Sequence, residues 1–181
     1  MDRTFKSNQR TDAGQPGCIP ETAATMISIT TKPLKFKRPL VSVWTVLSVT
    51  DFKTEDEVPT AIDDGRLLYA FNIAGRKAKS RRVRVLAESV CDFVEGRQLP
   101  NLSEADEWRQ VMNLIFPVPA PSIPAKEIAL AWNISGTHIL NLCDQKLLRV
   151  AKGSPRRTGL GGSPHVEYQS AVEFLKKRRI L

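Results

Sequence analysis

The sequence predicts an α+β protein, mostly helical, made of two small tandem helix-turn-helix modules, each carrying a basic hairpin, joined by a helix and a proline-rich linker. Three observations lead there. Segments of the second half repeat segments of the first at a spacing of 80 to 81 residues. Each copy reads as helix, turn, helix, short strand, basic loop, short strand and closing helix. Hydrophobic residues make up 41% of the 181 residues, enough for packed cores, but the longest apolar runs fall far short of the roughly twenty residues that span a bilayer.

The repeat rests on two alignments. DDGRLLYAF (63–71) lies on CDQKLLRVA (143–151), which places Asp64, Leu67 and Leu68 on Asp144, Leu147 and Leu148. VLAESVCDFVEGR (85–97) lies on VEYQSAVEFLKKR (166–178), pairing Val85 with Val166, Ser89 with Ser170, Phe93 with Phe174 and Arg97 with Arg178. The identities occur in the same order with one small indel between the two alignments, as a duplication would leave them.

Taken in order, residues 1–38 are rich in Thr, Ser, Gly, Pro and basic side chains without periodicity, and read as a disordered basic arm. The first module spans 39–97. Its first-helix place is held by VSVWTVLSV (41–49), β-branched enough to suit a strand nearly as well. Its second helix, within TEDEVPTAIDDG (54–65), carries Pro59 and shrinks to little more than 60–64 unless the proline sits in the first turn. The carboxylates there repel phosphate, so this copy is expected to use its basic loop, 74–84, as its main contact.

Residues 98–122 connect the modules. LPNLSEADEWRQVMNLIF (99–116) is a helix with a Ser103–Asp106 capping box and an apolar stripe of Trp108, Val111, Met112 and Ile115, expected to pack on the chain's own domain. PVPAPSIP (117–124) is a semi-rigid spacer. The second module spans 123–181. IPAKEIALAW (123–132) is its first helix, with Ile128, Ala129 and Trp132 on one face. Ser135 caps a second helix that turns Ile139, Leu142 and Cys143 inward and Thr137, His138, Asn141 and Gln145 outward. LLRVA (147–151) and HVEYQ (165–169) flank a Gly, Ser and Pro-rich loop holding Arg156 and Arg157. Ser170 opens a closing helix that ends in the basic run 176–179.

Charge follows this plan. Twenty-seven Lys and Arg against nineteen Asp and Glu give +8. Residues 1–40 carry +4, 41–97 are neutral, 98–122 carry −2 and 123–181 carry +6. Within the neutral stretch, 65–87 holds Arg66, Arg76, Lys77, Lys79, Arg81, Arg82 and Arg84 and no acid. Such a strip looks for polyanions, of which nucleic acid is the commonest.

The stretch IPAKEIALAWNISGTHILNLCDQKLLRVAKGSPRR, continued by HVEYQSAVEFLKKRR, resembles the excisionase and MerR-type winged helix-turn-helix family. The likeness lies in the Glu127-Ile128-Ala129 triplet of the first helix, the short turn, the helix opening at Ser135, the Leu-Leu pair before the wing, the basic wing and the aromatic-leucine pair of the closing helix. It covers 123–181 well and, through the repeat, 41–97 less well. The second wing is long and glycine-rich for the family, and the first copy has Pro59 and acids where a recognition helix is expected. The resemblance implies a second helix in the major groove and a wing along the phosphates. The base-reading candidates are Thr137, His138, Asn141 and Gln145, the phosphate candidates are Arg156 and Arg157 in the second copy and Arg76, Lys77, Lys79, Arg81, Arg82 and Arg84 in the first, and Ser135, Arg149 and Lys152 are further DNA-contact candidates.

No catalytic constellation is present: G-x-S-x-G, H-E-x-x-H and a Walker A lysine are all missing. Cys18, Cys91 and Cys143 lie far apart without a CxxC pair, which argues against disulfides and zinc, and no cofactor is expected. No apolar stretch follows the basic residues of MDRTFKSNQR, so a cytoplasmic, nucleoid-associated location without membrane contact is the expectation. The expected function is sequence-specific binding of double-stranded DNA at neighbouring sites in a phage or mobile element. By resemblance this is either an excisionase, acting with an integrase, or a transcriptional regulator, with homo-oligomers on DNA as a further partner. The alternative is a protein-docking adaptor or a packaging or replication accessory, for which the acidic 51–64 segment and the Trp108 stripe offer surfaces.

Overall fold

Strand β1 (Leu40–Ser42) runs straight into helix α1 (Val43–Val49), so the β-branched segment divides into both structures that it suits. Ser42 makes the break, its Oγ accepting from the Thr45 backbone N–H at the N-cap. The computed structural model describes residues 34–76, 78–97, 103–118, 120–155 and 163–180. Helix α2 (Glu57–Asp63) keeps Pro59 in its first turn, where the missing N–H has no intrahelical partner in any case. Glu57 Oε1 turns back to accept from the Lys53 and Thr54 amides, so one of the acids in this segment serves the backbone.

Strands β2 (Ala70–Asn72) and β3 (Val83–Leu86) form the first hairpin, followed by helix α3 (Ala87–Glu95), which ends at Gly96 in the left-handed conformation. Helix α4 (Glu104–Ile115) starts at Ser103, whose Oγ accepts from the Asp106 amide. The second half runs β4 (Ser122–Pro124), α5 (Ala125–Ala131), α6 (Gly136–Asp144), β5 (His165–Glu167) and α7 (Tyr168–Lys176), with one strand where the first half has two. A final strand, β6 (Arg179–Ile180), has no counterpart in the first half among the described residues. The fold is thus α+β, with seven helices among the described residues and two small antiparallel sheets, of order β1-β3-β2-β6 and β4-β5.

Several expectations shift. LLRVA supplies only an isolated bridge, Val150 to Val166, while Leu147 and Leu148 lie in the turn after α6. Pro124 ends β4 and stands at the N-cap of α5. Ser170 does not open α7. It is the third residue of that helix, buried, and its Oγ accepts from the Arg149 amide at 2.8 Å. Ser89 does the same for the Leu68 amide at 2.6 Å. The basic run 176–179 is not wholly helical, because Arg179 and Ile180 leave α7 to pair with Phe71 and Ala70. Arg178, the repeat partner of Arg97, donates to the Ala74 carbonyl at 3.0 Å, whereas Arg97 pairs with Glu88, Asp92 and Glu95 around its own helix.

The register of the repeat also moves. The bonds Asp64 N to Thr60 O, Gly65 N to Ile62 O and Leu67 N to Ala61 O recur 81 residues later at Gln145, Lys146 and Leu148. Leu67 therefore corresponds to Leu148, both buried, and not to Leu147. Beyond the serine-bound amides, Ala70 corresponds to Val150, since each pairs with the matching valine of the next strand, Val85 and Val166. The indel is thus Tyr69, an extra residue in the first half with φ of 58°.

That insertion joins the halves. The Tyr69 ring lies under the Arg179 guanidinium, 4.7 Å from its centroid, and its hydroxyl donates to Glu107 Oε2 at 2.7 Å. Burial, helped by the bond to Glu107, pushes the phenol from its ordinary 10.0 up to about 12. A folded pKa above the unfolded one means stability that is complete below about pH 10 and lost as pH climbs through about 12. Chemical unfolding across that window is expected to show an alkaline decline that Tyr69→Phe abolishes. An identical decline in the variant would contradict this origin.

Leu34–Leu181 form one compact unit. One core cluster belongs to the first half and gathers Val41, Val46, Ala61, Ile62, Leu67 and Val85, with Ile180 packed against it. The larger cluster takes Leu40, Phe71 and Ile73 from the first half, Val111, Met112 and Ile115 from α4, and Ile128, Trp132, Ile139 and Leu175 from the second. The α4 stripe therefore seals the two halves together, with Trp108 packed against this core edge-on to Phe71. Leu34 to Arg38, at the end of the stretch assigned to the basic arm, run beside α3, where the Cys91 thiol donates to the Leu34 carbonyl.

Candidate nucleic-acid interface

The segment expected to form the first wing is the loop between β2 and β3. Asn72 braces its base, its Oδ1 accepting from the Ala74 and Arg82 amides at 3.2 and 3.1 Å, beside the Ile73 N to Arg82 O bond. Buried Ile73 and Ala74 root the loop in the core, so its polar part projects outward. Arg76, Lys79, Arg81 and Arg82 are all exposed, and among the described residues no carboxylate pairs with any of them. Four unmatched cations on one short loop attract phosphate. Lys77, Arg156 and Arg157 lie outside the described residues.

Helix α6 lies against this loop. Ser135 caps it, its Oγ accepting from the His138 amide at 3.2 Å. Ile139 and Leu142 are fully buried, so the periodicity turns Thr137 and Asn141 to the exposed side. His138 and Gln145 occupy the flank toward the first wing. His138 Nε2 sits 2.7 Å from the Ile73 carbonyl, and its Nδ1 is 3.4 Å from Arg82 Nη1. A carbonyl only accepts and a guanidinium only donates, so both contacts fit the neutral ring with its proton on Nε2. Gln145 Oε1 accepts from the Arg76 amide at 2.7 Å. Gly75 permits this approach, because a Cβ there would fall 2.8 Å from Gln145 Oε1.

Two predicted DNA contacts, Arg84 and Arg149, have partners within the chain. Arg84 donates through Nε and Nη2 to the Asn133 carbonyl at 3.2 and 3.0 Å and through Nη1 to the Val83 carbonyl. Burial, with Arg82 nearby, lowers its pKa from the ordinary guanidinium range, and the side chain acts as a clamp between β3 and the α5–α6 turn. Arg149 is matched by Glu167 at 2.8 Å and Glu173 at 3.5 Å. Lys152 is exposed. The sequence reading missed Asn72, Arg38 and Arg178. Arg38 donates to Asn133 Oδ1, beside the Arg84 clamp, and its only advance signal is the KFKR run ahead of β1.

Among the described residues no group of His, Cys, Asp and Glu is placed to hold a metal ion, and no helix is long and apolar enough to cross a membrane. Burial pushes the Cys91 and Cys143 thiols up, the direction opposite to nucleophile activation. Compared with protein-family models, with curated proteins and with solved structures, the chain matches none.

Proposed function

We propose that this chain is a sequence-specific double-stranded DNA-binding protein built from two winged helix-turn-helix halves. The observation that carries the reading is the acid-free first wing, whose exposed Arg76, Lys79, Arg81 and Arg82 stand beside the polar side of α6. Phosphate contacts from such a wing supply affinity and register, while polar side chains on an adjoining helix read base edges. The order strand, helix, helix in both halves, followed by a hairpin in the first and by a single bridge, Val150 to Val166, before β5 in the second, supports the winged-helix reading. By the family resemblance, the function is that of an excisionase of a phage or mobile element, working with an integrase, or that of a transcriptional regulator. The Trp108 stripe offered as a docking surface packs on the core, so the adaptor alternative loses that support.

Titration of a duplex selected from a random pool, at several salt concentrations, tests the proposal. A log-log slope near −5 is expected from roughly six phosphate contacts, with the selected duplex bound more tightly than a scrambled one. Absence of duplex binding at moderate salt overturns it.

A further inference from the structure

The two halves are held together at every level around the proposed interface. Strand β6 extends the first half's sheet, the larger core draws on both halves, and Arg84 and Arg178 reach carbonyls across the joint at Asn133 and Ala74. Tandem modules on a spacer can swivel to reach separate half-sites. Here swivelling would break a strand pairing and open a core. The first wing is pinned along the flank of α6 at two points, His138 near the helix start and Gln145 at its end, about two turns or 10 Å apart. Between and outward of those pins, Thr137 and Asn141 remain exposed.

We infer that α6 of the second half and the wing of the first form one composite surface for a single uninterrupted stretch of duplex, with His138 and Gln145 positioning the wing and not reading bases. The dimensions suit that partner. A helix with side chains is about 10–12 Å across, close to the roughly 12 Å width of the major groove, so an element flanking the helix meets the phosphates at the groove rim. Arg82 stands at the His138 end of the wing and Arg76 at the Gln145 end, which spreads positive charge along the helix where the rim would run. His138 Nε2 and Gln145 Oε1 are engaged by the Ile73 carbonyl and the Arg76 amide, and His138 Nδ1 faces Arg82, while Thr137 and Asn141 are exposed.

This inference rests on the DNA-binding reading, and hydroxyl-radical footprinting of the full chain on its selected duplex separates the two. The expected result is one continuous footprint, with binding lost when base pairs are inserted inside it. Two protected tracts that tolerate such insertions would overturn the composite surface while leaving DNA binding intact, and no duplex binding at all would remove both. The double variant His138→Ala/Gln145→Ala is expected to bind about tenfold more weakly to selected and scrambled duplexes alike and to show a shallower salt slope, as release of a wing requires. A loss confined to the selected duplex would make these residues base readers and refute the positioning role. Hydrogen exchange confirms that any effect is local: faster exchange at the Arg76 amide with unchanged core amides is expected, and exchange accelerated throughout would assign the loss to unfolding and count against the inference.

Discussion

Trp132→Ala is expected to lower the unfolding free energy by about 3–5 kcal/mol, the range for truncating a large aromatic in a packed core. Trp132 is fully buried at the end of α5, stacked on Phe174 with centroids 5.3 Å apart and tilted against Phe116 at 6.5 Å. Among the described residues its Nε1 has no hydrogen-bond partner, so packing and not polar contact holds the ring. The cluster around it includes Phe71 and Ile73 of the first half. The damage should therefore spread beyond the second half. Urea unfolding followed by far-ultraviolet circular dichroism, with hydrogen exchange at the Phe71 and Ile73 amides, checks this. A loss below about 1 kcal/mol, or first-half amides that keep their full protection, would contradict a shared core.

The second large effect concerns binding. Replacing Arg76, Lys79 and Arg81 together by Ala is expected to weaken every duplex roughly tenfold to a hundredfold and to reduce the salt slope by about 2 to 3, since each neutralised phosphate contributes about 0.9. Preference between selected and scrambled duplexes should survive, because phosphates carry no sequence. Stability should stay within about 0.5 kcal/mol, as these side chains are exposed and carry no ion pair among the described residues. An unaltered slope would remove the first wing from the interface.

The local parts of the fold were readable because their causes are local. Ile128, Ala129 and Trp132 recur at helical spacing and are buried, and Ser135 and Ser103 cap the helices they precede. Pro59 shortened the predicted α2 only because its place in the first turn depends on where the helix begins, which the Glu57 carboxylate helps to set. The indel was visible as a change in spacing from 80 to 81, but its position was not. Matching Leu67-Leu68 with Leu147-Leu148 maximises identity, whereas the hydrogen bonds of the turn match Leu67 with Leu148. Identity followed letters and the fold followed bonds.

For the site, composition sufficed to find the cationic strip at 65–87 and helical spacing sufficed to find the polar side of α6. Neither could tell a free side chain from an engaged one. Arg84 and Arg81 look alike in sequence, yet one is bound to the Asn133 carbonyl, 49 positions away, and the other is exposed. His138 and Gln145 looked like solvent-facing readers until the loop at Ile73 and Arg76, 65 and 69 positions earlier, closed on them. Helix periods, caps and charge runs are properties of a few neighbouring residues and so are written along the chain. Which arginine is engaged within the chain, and which loop closes on which helix, depends on contacts that exist only after distant segments have packed around Tyr69, Trp132 and β6.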